Sequence, residues 1–264
     1  VYLKGFIGTD YTGTAFEEAD GESFVQAASL WKLDGNVSLG VENLPFLRTY
    51  YAENVVFTGE GDDAKPELSA NAASSAVTLQ VENLAANPNY TYVPYGAFLN
   101  DYYQVLGGDG ALAGQSVQQD IFSCYPRKQL EEVLEDWNET KQQESTLDQA
   151  ESAYAAYVQA HCSSLPENLS YLQEKFDLEL ETKESADPKE AEKNWEKIKT
   201  AVVSELAGNY EFVREPEAVP EGKDFVEWFL KESKEGNSVH FAAAATMLLR
   251  ACGMPARYVV GYAA

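Results

Sequence analysis

The sequence predicts an α+β protein, and three observations predict it. Residues 1–126 carry short runs rich in β-branched and aromatic residues, separated by Gly, Asn, Asp and Pro clusters. Residues 127–186 switch to apolar spacings of three and four, the period of helices. Residues 187–264 combine helical patterns with short strands. The expected organisation is a β-sandwich-like domain over 1–126, a helical connector over 127–186 and an α+β core over 187–264.

Within the first region the runs Ser23–Leu33, Leu47–Thr58, Ala76–Val81 and Tyr90–Tyr95 read as strands, and Val77, Leu79 and Val81 alternate with Thr78 and Gln80. Asp34-Gly35-Asn36 and Gly59–Asp63 read as turns or loops. In the second region Leu130, Val133, Leu134 and Trp137 form one helical stripe, and Leu147, Ala150, Tyr154, Tyr157 and Val158 a second. Ser164-Leu165-Pro166 interrupts the pattern before a shorter segment through Leu169, Leu172 and Phe176. Glu179–Asp187 is charged and nearly free of large apolar groups, as a linker is.

Asp187-Pro188 opens the next helix, with Asp187 as cap, Pro188 at the first helical position and Glu190 in capping-box register. Its buried stripe is expected to be Ala191, Trp195, Ile198, Val202 and Leu206, with Gly208 as the stop. A strand over Tyr210–Val213, a Pro/Glu loop and an amphipathic turn through Phe225, Trp228 and Phe229 follow. Ser238 then reads as the N-cap of a helix through Cys252, and Gly253 and Pro255 end it. The apolar residues of that helix wrap nearly its whole circumference, which predicts burial. Ala256–Tyr262 reads as an adjoining strand.

Composition narrows the function. At 45% apolar and 12% aromatic the chain is too rich in core-forming residues for disorder. Its 43 acidic against 19 basic residues give −24, a field that repels phosphate backbones and anionic membranes, so no nucleic acid partner is expected. The simplest role of that charge is solubility. Three cysteines and two histidines show no metal-ligand spacing, so neither a metal nor a cofactor is expected. The odd cysteine count argues against a disulfide scaffold, and a single Cys124–Cys162 bridge stays open. No apolar run reaches the roughly 18 residues of a membrane span. The chain opens on Val1 with neither initiator Met nor leader, so any anchor is expected upstream.

One long ungapped stretch carries a specific resemblance. Glu235-Gly236-Asn237-Ser238-Val239-His240-Phe241-Ala242, then Leu248-Leu249-Arg250-Ala251-Cys252-Gly253-Met254-Pro255-Ala256-Arg257-Tyr258-Val259-Val260-Gly261-Tyr262, resembles the nucleophile helix and following strand of the transglutaminase-like superfamily, a papain-related thiol-enzyme core. Pro220–Val226 and Phe229-Leu230 are similar to the lead-in of that family. The 187–264 region is therefore expected to be the first part of a transglutaminase-like core. Residues 1–126 and Tyr154–Leu172 also resemble the extracytoplasmic part of bacterial membrane-anchored members. That resemblance implies a cell-surface or extracellular location, with anchoring through segments outside this chain.

In the family a cysteine opens this helix. The resemblance implies a thiol activated by the helix dipole, a histidine on a later strand and an acidic residue that orients it, together transferring acyl groups from amides. Here the nucleophile position is Ser238, and the resemblance puts the family's His and Asp beyond residue 264. Ser238 is open to three readings: a helix cap, a serine nucleophile, or a cysteine exchanged for serine. His240 reads as a packing or hydrogen-bonding residue and His161 as a helix-surface residue. Tyr210 has a core role or donates near an oxyanion, and Arg250 and Arg257 are structural. The expected function is a catalytically inactive module that binds protein, peptide or cell-envelope polymer, or acts structurally. The alternative is an amide acyl transferase or cysteine-peptidase-type hydrolase in the full-length protein.

Overall fold

The computed structural model describes residues 2–18, 22–31, 44–61, 64–70, 72, 78–87, 89–90, 92–95, 118–123, 127–140, 146–174 and 188–263. In chain order its elements begin with β1 (Tyr2–Gly8), β2 (Asp10–Tyr11), β3 (Phe16–Glu17), α1 (Glu22–Leu30) and α2 (Leu44–Asn54). Then come β4 (Val55–Thr58), β5 (Lys65–Leu68), β6 (Thr78–Asn83), β7 (Val93–Pro94), β8 (Gln118–Ser123), α3 (Arg127–Thr140) and α4 (Thr146–Tyr157). A π-helical turn (Val158–Cys162) and a 3-10 helix (Glu167–Glu174) lead to α5 (Pro188–Asn209) and β9 (Glu211–Phe212). Last are α6 (Phe225–Trp228), a π-helical turn (Phe229–Ser233), β10 (Glu235–Gly236), α7 (Ser238–Ala251) and β11 (Tyr258–Ala263). The α+β class holds.

The chain forms two compact units, and each is assembled from distant stretches. The first comprises Val1–Ile7, Asp20–Tyr157 and Val260–Ala264. In it β1 is flanked by β7 and β11, with Leu3 opposite Pro94 and Lys4 opposite Val93. The β4–β5 and β6–β8 pairs are antiparallel ribbons. Helix α1 packs on α4, and α3 on α4 and β5. Leu130, Val133, Ala150 and Tyr157 are wholly buried, so the two stripes expected over 130–158 are core faces.

Two expected strands are helices. Ser23–Leu33 is largely α1, and the first part of Leu47–Thr58 is α2, with only Val55–Thr58 extended. The reason lies in spacing. Phe24, Ala27, Ala28 and Trp31 fall at i, i+3, i+4 and i+7, and Leu44, Leu47 and Tyr51 at i, i+3 and i+7. Ala27 and Ala28 are also strong helix formers and fully buried. Aromatic and β-branched content is a weaker signal than period, because β-propensity depends on packing context. The turn at 34–36, Phe176 and the charged stretch 179–187 lie outside the described residues.

The second unit comprises Gly8–Ala19 and Val158–Val259. Its core is built on α7, which packs against α5, α6 and the 3-10 helix. Ala243, Ala244, Met247 and Leu248 of α7 are buried, as are Ile198, Val202 and Leu206 of α5. Trp195, on the same expected stripe, is 50% exposed. Periodicity reports which face of a helix is apolar, not how far its neighbour extends along it. The β2–β3 hairpin joins this unit through Tyr11, Gly13 and Phe16, whose ring stacks on Tyr258 at 4.8 Å.

Candidate active site

The site is the first turn of α7. Gly236 closes β10, which runs parallel to β9 with Gly236 beside Phe212. Its lack of a side chain is required, because an added Cβ would lie 2.6 Å from His240 Cβ and 2.8 Å from Phe229 Cε2. The helix cap is Asn237, not Ser238. Asn237 is extended (φ −101°, ψ −172°), and its side-chain oxygen accepts from the Val239 N–H at 3.1 Å. His240 completes a capping box from the third helical position. Its Nδ1 lies 3.4 Å from the Asn237 backbone nitrogen and 3.0 Å from Asn237 Oδ1. Asn and Ser are equally good caps, so the sequence alone left a one-residue ambiguity.

Ser238 is thus the first residue of the helix, and its side chain is exposed. Among the described residues no hydrogen bond reaches its hydroxyl. It lies at the positive end of the helix dipole, the place where a thiol would be favoured as thiolate. A hydroxyl gains too little there to ionise and needs a base.

Neither histidine is that base. His240 is 6% exposed, and its ring is enclosed by Phe225 at 4.4 Å, Phe229 at 5.5 Å and Trp228 at 6.5 Å. Two positions along a helix turn it about 200° from Ser238. Burial pushes its imidazole below the usual histidine range. Its Nε2 is buried with no partner. His161, expected on a helix surface, is half-buried in the π-helical turn, with Nδ1 3.0 Å from Asp10 Oδ1.

That His–Asp pair lies at the far end of α7. Arg250, 3% exposed, donates to the carbonyl of Thr9 (2.7 Å), which adjoins Asp10, and to the carbonyl and hydroxyl of Ser164 (3.2 and 3.3 Å). Arg250 lies twelve positions along the helix from Ser238, about 18 Å. Arg250 also donates to the Ala256 carbonyl from Nε and Nη2. It is structural, as expected, and acts through backbone carbonyls. Tyr210 donates to the Leu230 carbonyl at 3.3 Å and packs on Phe229 at 5.1 Å, a core role. Around Ser238 the surface is partly apolar: Phe212 is 61% and Val239 46% exposed.

A family model for the transglutaminase-like superfamily matches residues 181–264. Residues 181–264 carry a transglutaminase-like domain. The match contains the whole of α7, so Ser238 opens the central helix of that domain. No curated protein and no solved structure matches the chain. No helix among the described residues is long and apolar enough to cross a membrane. Among those residues no group of three or more His, Cys, Asp or Glu is placed to hold a metal ion. The capping role of His240 and the anchoring role of Arg250 were missed in detail. The signal for the first was present as Asn237-x-x-His240, a capping box with imidazole in place of the usual Glu or Gln.

Proposed function

We propose that the transglutaminase-like domain of this chain is non-catalytic, and that it recognises a polypeptide or cell-envelope polymer at the outer face of a cell. One observation carries the first half of this reading. The residue that opens α7 is Ser238, where the family has cysteine, and a hydroxyl gains too little from the helix dipole to ionise there. The exposed Phe212 and Val239 beside it support recognition, since they leave apolar surface next to the first turn of α7. The extracytoplasmic placement rests on the resemblance of residues 1–126 and 154–172 to anchored members of the family.

The test is incubation of the chain with a glutamine-bearing protein and a fluorescent primary amine. No incorporation above a Ser238→Ala control is expected. Incorporation that Ser238→Ala abolishes overturns the reading.

A second reading, an amide acyl transferase, is favoured by the position of residue 238 alone, the first residue of a helix with unpaired N–H groups. Under it, Ser238→Cys gives a thiol that iodoacetamide modifies faster at pH 7 than an ordinary exposed cysteine. Modification at the ordinary rate argues for the first reading.

A further inference from the structure

The β9–β10 sheet has one closed edge and one open edge. Its two strands run parallel, with Glu235 beside Glu211 and Gly236 beside Phe212. The Glu211 N–H donates to the Lys234 carbonyl at 2.8 Å and the Val213 N–H to the Gly236 carbonyl at 2.9 Å. Backbone groups alternate in direction along a strand, so the Phe212 N–H and carbonyl point away from β10. The corresponding outward groups of β10 belong to Glu235, and the Ser233 hydroxyl takes both. It donates to the Glu235 carbonyl at 2.9 Å and accepts from the Glu235 N–H at 3.2 Å. Among the described residues nothing does the same for Phe212. Its exposed ring lies 6.3 Å from that of Phe241.

The other face of β9 carries charge. Glu211 and Glu235 are exposed, in-register neighbours on strands about 5 Å apart, so their carboxylates repel. Lys234, the cation next along the chain, is exposed, and among the described residues neither carboxylate is in an ion pair. We propose that the open edge of β9 captures an extended segment of a basic polypeptide. The segment adds a strand beside Phe212, seats an apolar side chain on the Phe212–Phe241 face and sets a lysine or arginine against Glu211 and Glu235. This strand capture rests on the polypeptide recognition proposed above.

Three features select that occupant. Meeting the Phe212 N–H and carbonyl takes a peptide main chain, and a glycan backbone has no such repeating pair. A second copy of this chain brings the same acidic edge and a net charge of −24, which repel it. A basic segment is drawn by that field, and its alternate residues fall on the two faces that β9 separates.

Fluorescence anisotropy of the whole chain with dye-labelled peptides tests the capture. One peptide alternates lysine and valine, a second holds the same residues in separate blocks, and a third is the alternating peptide N-methylated at every residue. All three carry the same charge. The alternating peptide is expected to bind about tenfold more tightly than the others, the worth of two backbone hydrogen bonds. Glu211→Gln and Glu235→Gln should each weaken it about two- to fivefold. Phe212→Pro keeps the two N–H groups that hold β10 and loses the outward one, so it should weaken binding more than Phe212→Ala does. Equal binding of the three peptides overturns strand capture and leaves polypeptide recognition standing. Binding that the Glu211, Glu235 and Phe212 variants leave unchanged does the same. Binding of none of the three peptides removes both. Should a variant not fold, the N-methylated peptide decides on the unaltered chain. Amine incorporation that depends on Ser238 would overturn the non-catalytic reading and leave the peptide result as it stands.

Discussion

The Tyr11 hydroxyl lies 2.9 Å from Asp224 Oδ1, joining the N-terminal hairpin to the start of α6 across 213 residues of sequence. The same oxygen accepts from the Val226 N–H at 3.0 Å, and Asp224 caps α6 by accepting from the Glu227 N–H at 2.8 Å. Removing the hydroxyl leaves the Val226 N–H without a partner and takes one of the donors from Asp224 Oδ1. Tyr11→Phe is expected to cost about 1–3 kcal/mol, read as a lower denaturation midpoint with an unchanged slope.

The same residue gives a pH dependence. Burial, with the neighbouring Asp224 carboxylate, pushes the Tyr11 phenol far above its ordinary value of 10.0, so the folded state holds it neutral. The unfolded chain loses that proton near pH 10 and the folded chain does not. Stability from Tyr11 is therefore complete below pH 10 and declines as pH rises above it. In Tyr11→Phe this part of the alkaline decline should vanish; an identical alkaline slope in both proteins would count against the assignment.

Caps can be told apart by substitution. Asn237→Ala is expected to cost about 1 kcal/mol through loss of the cap. Ser238→Ala, at an exposed first helical position, should change stability by less than about 0.5 kcal/mol. Reversal of that order in thermal melts would return the cap to Ser238.

Gly236→Ala tests the packing under the site. The new methyl group would sit 2.6 Å from His240 Cβ and 2.8 Å from Phe229 Cε2, so both side chains must shift. A loss of about 1–3 kcal/mol is expected from overpacking. Wild-type stability in this variant would mean that the ring is not held where it stands.

Arg250 is a harsher test. Its guanidinium is 3% exposed and reaches the carbonyls of Thr9, Ser164 and Ala256. Arg250→Met keeps much of the stem and leaves those carbonyls without these donors, at an expected cost of about 1–3 kcal/mol for each buried acceptor left unsatisfied. Arg250→Lys should recover little of it, since one ammonium cannot reproduce the fork. Urea melts that place Lys close to wild type would show that charge, not geometry, is what the site needs.

Much of this was legible in the chain, and the misses have physical causes. The stripes through Leu130 and Tyr154, the break at Ser164–Pro166, and the run from α6 through β11 follow from apolar period and from Gly and Pro positions. Gly253, with φ +78°, ends α7 as its place in the sequence implies. The α1 and α2 helices were missed because aromatic content was weighed above spacing. The position of Ser238 at the start of a helix was readable, but the choice between two adjacent capping residues was not. Tyr11 with Asp224 and Arg250 with Thr9 had no local signal at all, because nothing in a sequence announces a partner more than 200 residues away.

The grouping of Gly8–Ala19 with Val158–Val259 has a consequence for biosynthesis. The hairpin leaves the ribosome well before Asp224 and Arg250 do. At about 5–20 residues per second, the 213 residues between Tyr11 and Asp224 take roughly 10–40 s to appear. Through that interval Tyr11 lacks Asp224 and Phe16 lacks Tyr258, and this unit cannot close. A fragment beginning at Val158 would lack the hairpin altogether, and supplying residues 8–19 as a separate peptide should restore part of its stability.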